Sequence, residues 1–150
     1  MAYVTLVDMT ARFGVDELRQ LTDRAMPQQG AIVQAVLDNA IGDAGAAIDS
    51  HLGARYAVPL AGTLPPELVR VACDLARFFL HDLSVPEPVR ERYEDGMRWL
   101  RDVAGGKLPL VGVDGALVGE RSEPYASSSS VAAYPTGAVF GAAFAGAWQP

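Results

Sequence analysis

Residues 31–60, AIVQAVLDNAIGDAGAAIDSHLGARYAVPL, constrain the fold more than any other stretch. Ile32, Val36, Ile41, Ala44, Ile48, Leu52 and Tyr56 recur mostly every third or fourth position, the spacing of one helix face. Asp38, Asp43, Asp49 and Arg55 fall largely off that stripe and are expected to meet solvent or a neighbouring subunit. Gly42, Gly45 and Gly53 each cost ~1 kcal/mol of helix propensity against Ala, so packing must hold this helix. Small residues of this kind let another helix approach closely. Pro59 bars further helix and pushes Val58 to an extended conformation. A long central helix with a sharp exit is the expectation.

Shorter helices are expected before it. Thr5 followed by Asp8 has the form of an N-terminal cap, with Leu6, Met9 and Phe13 inward and Gly14 as the stop. A second helix over 15–23 turns Leu18 and Leu21 inward, and Pro27 and Gly30 mark the loop that follows. Beyond the central helix, Pro66 suits a helix start. Leu68, Val71, Ala72, Leu75, Phe79 and Leu83 form the next stripe, and Val69, Ala76 and Phe78 widen it, so this helix should be buried on much of its circumference. A last helix over 88–104 turns Val89, Tyr93, Met97, Leu100 and Ala104 inward. Its run Arg90, Glu91, Arg92, Glu94, Asp95 reads as a solvated face with pairs three and four apart. Gly105-Gly106 ends the helical part, and Asp114-Gly115 between two short apolar runs signals a two-residue hairpin.

The predicted architecture is mainly α. A bundle of four to five helices occupies 1–106, a short β-hairpin 107–120, and an extended Ala/Gly/Ser-rich arm 121–150. The arm has no charged side chain after Glu123, while Phe140, Phe144 and Trp148 recur every fourth residue. Large aromatics left in water are an aggregation hazard, so Tyr134, Phe140, Phe144 and Trp148 are expected to anchor the arm on a partner.

Length and charge narrow the function. The 150 residues suit one domain with a real core, and a net charge of −6 lacks the basic footprint of a nucleic-acid grip. No N-terminal basic region leads into an apolar core, and no apolar run reaches the length of a membrane span, so a cytosol-like compartment is expected. Cys73, the single cysteine, excludes an internal disulfide and a cysteine zinc cluster, and its helical setting suggests a buried, inert thiol. His51 and His81 fall on different predicted helices without a ligand spacing to a carboxylate or each other. The glycines open no phosphate-cradling helix, and the serines at 127–130 have no nucleophile-elbow context. No catalytic, cofactor or metal site is expected. Arg55 and Arg77 are expected to pair with carboxylates at helix-to-helix or subunit contacts.

Four segments together resemble a known family: YVTLVDMTARFGVDELRQLTDR, DAGAAIDSHLGARYAVPL, PPELVRVACDLARFFLH and VRERYEDGMRWLRDVAGGKLPL. They carry FG-x-x-EL with LTDR, ID-x-x-L-x-x-RY-x-x-PL, and RYED with WL-x-D-x-A-x-G, and are similar to the Mu-like phage neck proteins. The resemblance spans residues 3–110 and implies a head-completion adaptor in the virion neck, assembled in the host cytoplasm. It implies a ring, about twelve-fold after the portal, that contacts the portal, copies of itself and a tail-side protein. DNA would pass through without sequence-specific binding, and no membrane is involved. Arg55, Tyr56, Arg77 and the four arm aromatics are the candidate partner-binding residues. A tail-completion or tail-terminator-associated protein is the nearest alternative; a small enzyme or a regulatory protein is remote. The family's tails often finish in a basic, aromatic segment; here Phe140 keeps the aromatic and the arginines are missing.

Overall fold

A computed structural model describes residues 3–119. Five helices follow in order: α1 (Leu6–Phe13), α2 (Val15–Thr22), α3 (Gln34–Leu52), α4 (Pro66–Leu80) and α5 (Glu87–Ala104). The protein is mainly α, as its periodicities require. Thr5 closes a full capping box on α1: its hydroxyl accepts from the Asp8 amide, and Asp8 accepts from the Thr5 amide at 2.9 Å. Gly14, at φ 82°, both ends α1 and opens α2, a left-handed turn that an L side chain would strain.

α4 is the middle layer. It packs against both α3 and α5, which also meet each other, while α1 and α2 pair and α2 touches α3. Leu68, Val71, Ala72, Cys73, Leu75, Ala76 and Leu80 of α4 are all buried, as its broad apolar stripe foretold. Gly96 lets α5 lie close against α4. A Cβ at Gly96 would lie 3.1 Å from Leu75 Cδ1 and 3.2 Å from Val71 Cγ1, so the missing side chain sets the spacing. Beside this seam Phe78 stacks on Tyr93 with centroids 3.9 Å apart, and Phe79 meets both edge-on.

Several expectations require correction. α3 is shorter than its stripe: Ile32 precedes the helix, and Tyr56 lies in the turn beyond the Gly53 cap. Leu37 and Ala40 belong to its buried face, whereas Val36 is only half-buried. The three α3 glycines do not share one role. Gly45 is buried beneath the Tyr3 ring, Gly42 faces open space, and Gly53 is the cap. Asp49 does not face solvent alone; it accepts a hydrogen bond from the Tyr3 hydroxyl, which in turn accepts from the Leu60 amide at 3.1 Å. Leu83 lies outside α4 and is fully exposed, because α4 stops at Leu80 where Arg24 donates to its carbonyl and pairs with Asp82 at 3.1 Å. On α5, Val103 is buried in place of Ala104.

The segment after α5 turns at the expected dipeptide. Gly115, at φ 76°, donates to the Gly112 carbonyl at 3.0 Å, and the Gly112 amide donates to Ala116 at 2.8 Å. Within residues 107–119 the pairing amounts to one isolated antiparallel bridge, Val111 with Leu117, so this is a turn rather than a strand ladder. Two or three hydrogen bonds cannot hold a two-stranded ribbon unaided, and Leu110, buried in the core, supplies the attachment.

Candidate functional site

The residue types that could do chemistry are placed apart. Among the described residues no group of three His, Cys, Asp or Glu is arranged to hold a metal. Cys73 is fully buried, and burial pushes its thiol up to about 11, which keeps it protonated and unreactive at neutral pH. His51 sits at the C-terminal end of α3 with Nδ1 2.8 Å from the Ala47 carbonyl, so that nitrogen carries the proton. His81 caps α4, and its buried Nε2 has no hydrogen-bond partner among the described residues.

The most organised surface is a cleft of about 340 Å³ lined by Arg12 and Phe13 of α1, Arg70 and Asp74 of α4, and Arg92 of α5. Helical spacing places Arg70 and Asp74 one turn apart, and Arg70 Nη1 reaches Asp74 Oδ2 at 3.1 Å. The same guanidinium grips Glu67 Oε1 through Nε at 3.0 Å, which holds Glu67 below the usual carboxylate range. Asp74 is almost wholly buried. Desolvation raises its carboxyl above the ordinary value even though Arg70, Arg92, Arg12 and Arg77 all favour its charge. Next to the cleft, Arg77 Nε donates to Glu17 Oε1 at 2.6 Å, and its guanidinium lies 4.7 Å from the centroid of the Phe13 ring. Arg77 therefore ties α4 to both α1 and α2.

A second surface surrounds the turn. Tyr56, Pro109, Leu110, Leu117, Val118 and Gly119 line an apolar cleft of about 270 Å³, and Val113 and Leu117 project largely into solvent beside it. Tyr56 is fully buried where it lines this cleft. Arg55 lies near the Tyr56 ring, 5.9 Å from its centroid, and against Gly106, whose φ of 77° turns the chain out of α5. Thus Arg55 and Tyr56 lie at the turn, Arg77 lies next to the other cleft against Phe13, and Tyr134, Phe140, Phe144 and Trp148 lie outside the described residues. Reading by motif missed Arg12, Arg70, Asp74 and Arg92. Asp74 carried the one available signal, a lone carboxylate amid the broad apolar stripe of α4.

Comparison with known proteins places this arrangement. Residues 3–127 match the family described as Bacteriophage Mu, Gp36. The chain belongs to that family. It is 37% identical over 107 residues to the "Gene product J" of Escherichia phage Mu, covering 71% of this chain and 74% of that protein. It is 34% identical over 108 residues to the "Mu-like prophage FluMu protein gp36" of Haemophilus influenzae, covering 72% and 74% of the two chains. The matched span includes both clefts and all five helices. No helix among the described residues of this phage-family protein is long and apolar enough to cross a membrane.

Proposed function

We propose that the protein is a structural head-completion component, an adaptor that assembles as a ring between the portal and the tail of a tailed phage. Membership of the Mu family across residues 3–127 is the observation that carries this reading. The physical features agree with it: a bundle with its own core, two separate clefts, and an apolar turn that precedes in sequence an arm with no charged side chain after Glu123. A ring subunit must bury several surfaces at once, and each contact in a closed ring joins unlike faces. The role is non-catalytic, and the acidic surface lets DNA pass without gripping it. Its partners are the portal, neighbouring copies and a tail-side neck protein, brought together in the virion neck after synthesis in the host cytoplasm.

The test is the mass of the full chain measured alone, with purified portal, and with purified tail-terminator protein. A defined portal complex of ring stoichiometry supports the adaptor. Capture by the tail-side protein with no affinity for portal would move the assignment to tail completion.

A further inference from the structure

We propose that the cleft between α1, α4 and α5 is a receptor for carboxylate side chains, and that its occupant is the outer face of α3 on a second copy of this chain. The inference rests on the ring reading for its biological setting, while its chemistry rests on the cleft alone.

Three guanidinium groups converge there in a chain whose net charge is −6. Their pairing is uneven. Arg70 is saturated by Glu67 and Asp74, whereas neither Arg12 nor Arg92 has a carboxylate in salt-bridge contact among the described residues. Both are exposed, and they line the same cleft as the buried Asp74, which holds Arg70. A buried carboxylate is costly to keep, and one that fixes an arginine in a cleft with two further arginines preorganises an oxyanion site. The Phe13 ring forms an apolar wall, which suits an acidic side chain arriving on a protein surface better than a small hydrated anion.

The complementary surface lies on the exposed part of α3. There Asp38 and Asp43 are exposed; Asp38 is bonded only to Gln34 of its own helix, at 2.7 Å, and neither has a cationic partner among the described residues. Between them Gly42 faces open space, with nothing within 4 Å of where its Cβ would stand. A glycine there weakens the helix and serves no packing within the chain, but it lets a second surface come close between the two aspartates. A receptor on one side and its ligand on another make a head-to-tail contact, the type that closes into rings. Duplex DNA is the competing source of oxyanions, and the strongly acidic chain disfavours it.

The experiment is sedimentation of the full-length chain over a range of concentrations, using two charge-reversed variants, Arg12→Glu/Arg92→Glu and Asp38→Arg/Asp43→Arg. All four positions are exposed, and circular dichroism melting verifies that each variant folds. Alone, each variant should raise the concentration for half-assembly by roughly tenfold or more, the scale of losing a close interfacial charge pair. Mixed in equal amounts they should assemble again, because the mixture restores opposite charges at every contact. The inference is overturned if the parent chain stays monomeric without portal, if the variants assemble like the parent, or if mixing restores nothing. Binding of a short duplex DNA by the parent and its loss in the arginine variant would also overturn it, giving the cleft to phosphate. Assembly by charge-swapped mixing with no portal binding would keep this contact and remove the adaptor reading; portal binding by a chain that never self-associates would do the reverse.

Discussion

Single residues carry the ends of the helices. Thr5 and Asp8 satisfy each other's backbone amides at the start of α1, and the Thr5 hydroxyl is the main cause of the lowered Asp8 carboxyl. Thr5→Ala should cost ~1 kcal/mol in urea unfolding, the usual loss for a side-chain cap. The pH dependence follows from the sign of that shift. A carboxyl lowered by folding binds fewer protons in the native state, so its stabilisation is present above the unfolded value and fades as pH falls through the folded one. Thr5→Ala should therefore flatten the acid limb of the stability curve; an unchanged limb would mean that Asp8 is held by something else. Gly106 makes a sharper case, because a Cβ there meets both an unfavourable φ of 77° and the Arg55 guanidinium. Gly106→Ala should destabilise by about 1–2 kcal/mol, and combining it with Arg55→Ala should recover only the steric part.

At the scale of elements, two helical glycines with the same propensity penalty should respond in opposite directions. Gly42 on α3 is open to solvent, so Gly42→Ala should raise the thermal midpoint and add roughly 0.5–1 kcal/mol. Gly96 on α5 rests against Val71 and Leu75, so Gly96→Val should wedge α4 from α5 and cost about 1–3 kcal/mol. Unfolding curves of the two variants distinguish them. The contrast also shows what a sequence can and cannot reveal. Periodicity and caps located all five helices, because Thr5, Gly14, Pro66 and Gly105 act through their own local backbone. It could not tell Gly42 from Gly96, since which glycine meets another helix depends on how the helices are stacked. For the same reason Leu83 looked like a continuation of the α4 stripe, whereas the helix end is set by Arg24, distant in sequence, taking the Leu80 carbonyl. The arginine cleft was illegible for a related reason: its members come from three helices and follow no motif.

At the scale of the whole molecule, the described residues share one core. Tyr3, Met9, Leu18, Leu37, Leu68, Leu100 and Leu110 join one buried cluster that draws on every helix and on the chain after α5. Deleting residues 134–150 should leave the melting midpoint of the bundle unchanged while abolishing portal attachment. Both are read from one preparation, by calorimetry and by co-sedimentation with portal. A truncated chain that still attaches would assign the contact to the bundle or the turn instead.

Tyr3 closes the fold by linking Asp49 of α3 to the Leu60 amide, and burial with the Asp49 hydrogen bond raises its phenol from 10.0 to about 12. This makes the residue an optical gauge of whether the N-terminal latch is shut. Between those two values the native chain holds a proton that the unfolded chain has released, so stability falls as pH rises through that interval. In an ultraviolet alkaline titration, one phenol should ionise late and in step with unfolding, and Tyr3→Phe should remove that late component. The same absorbance would then follow the opening and closing of the latch with no label added to the chain.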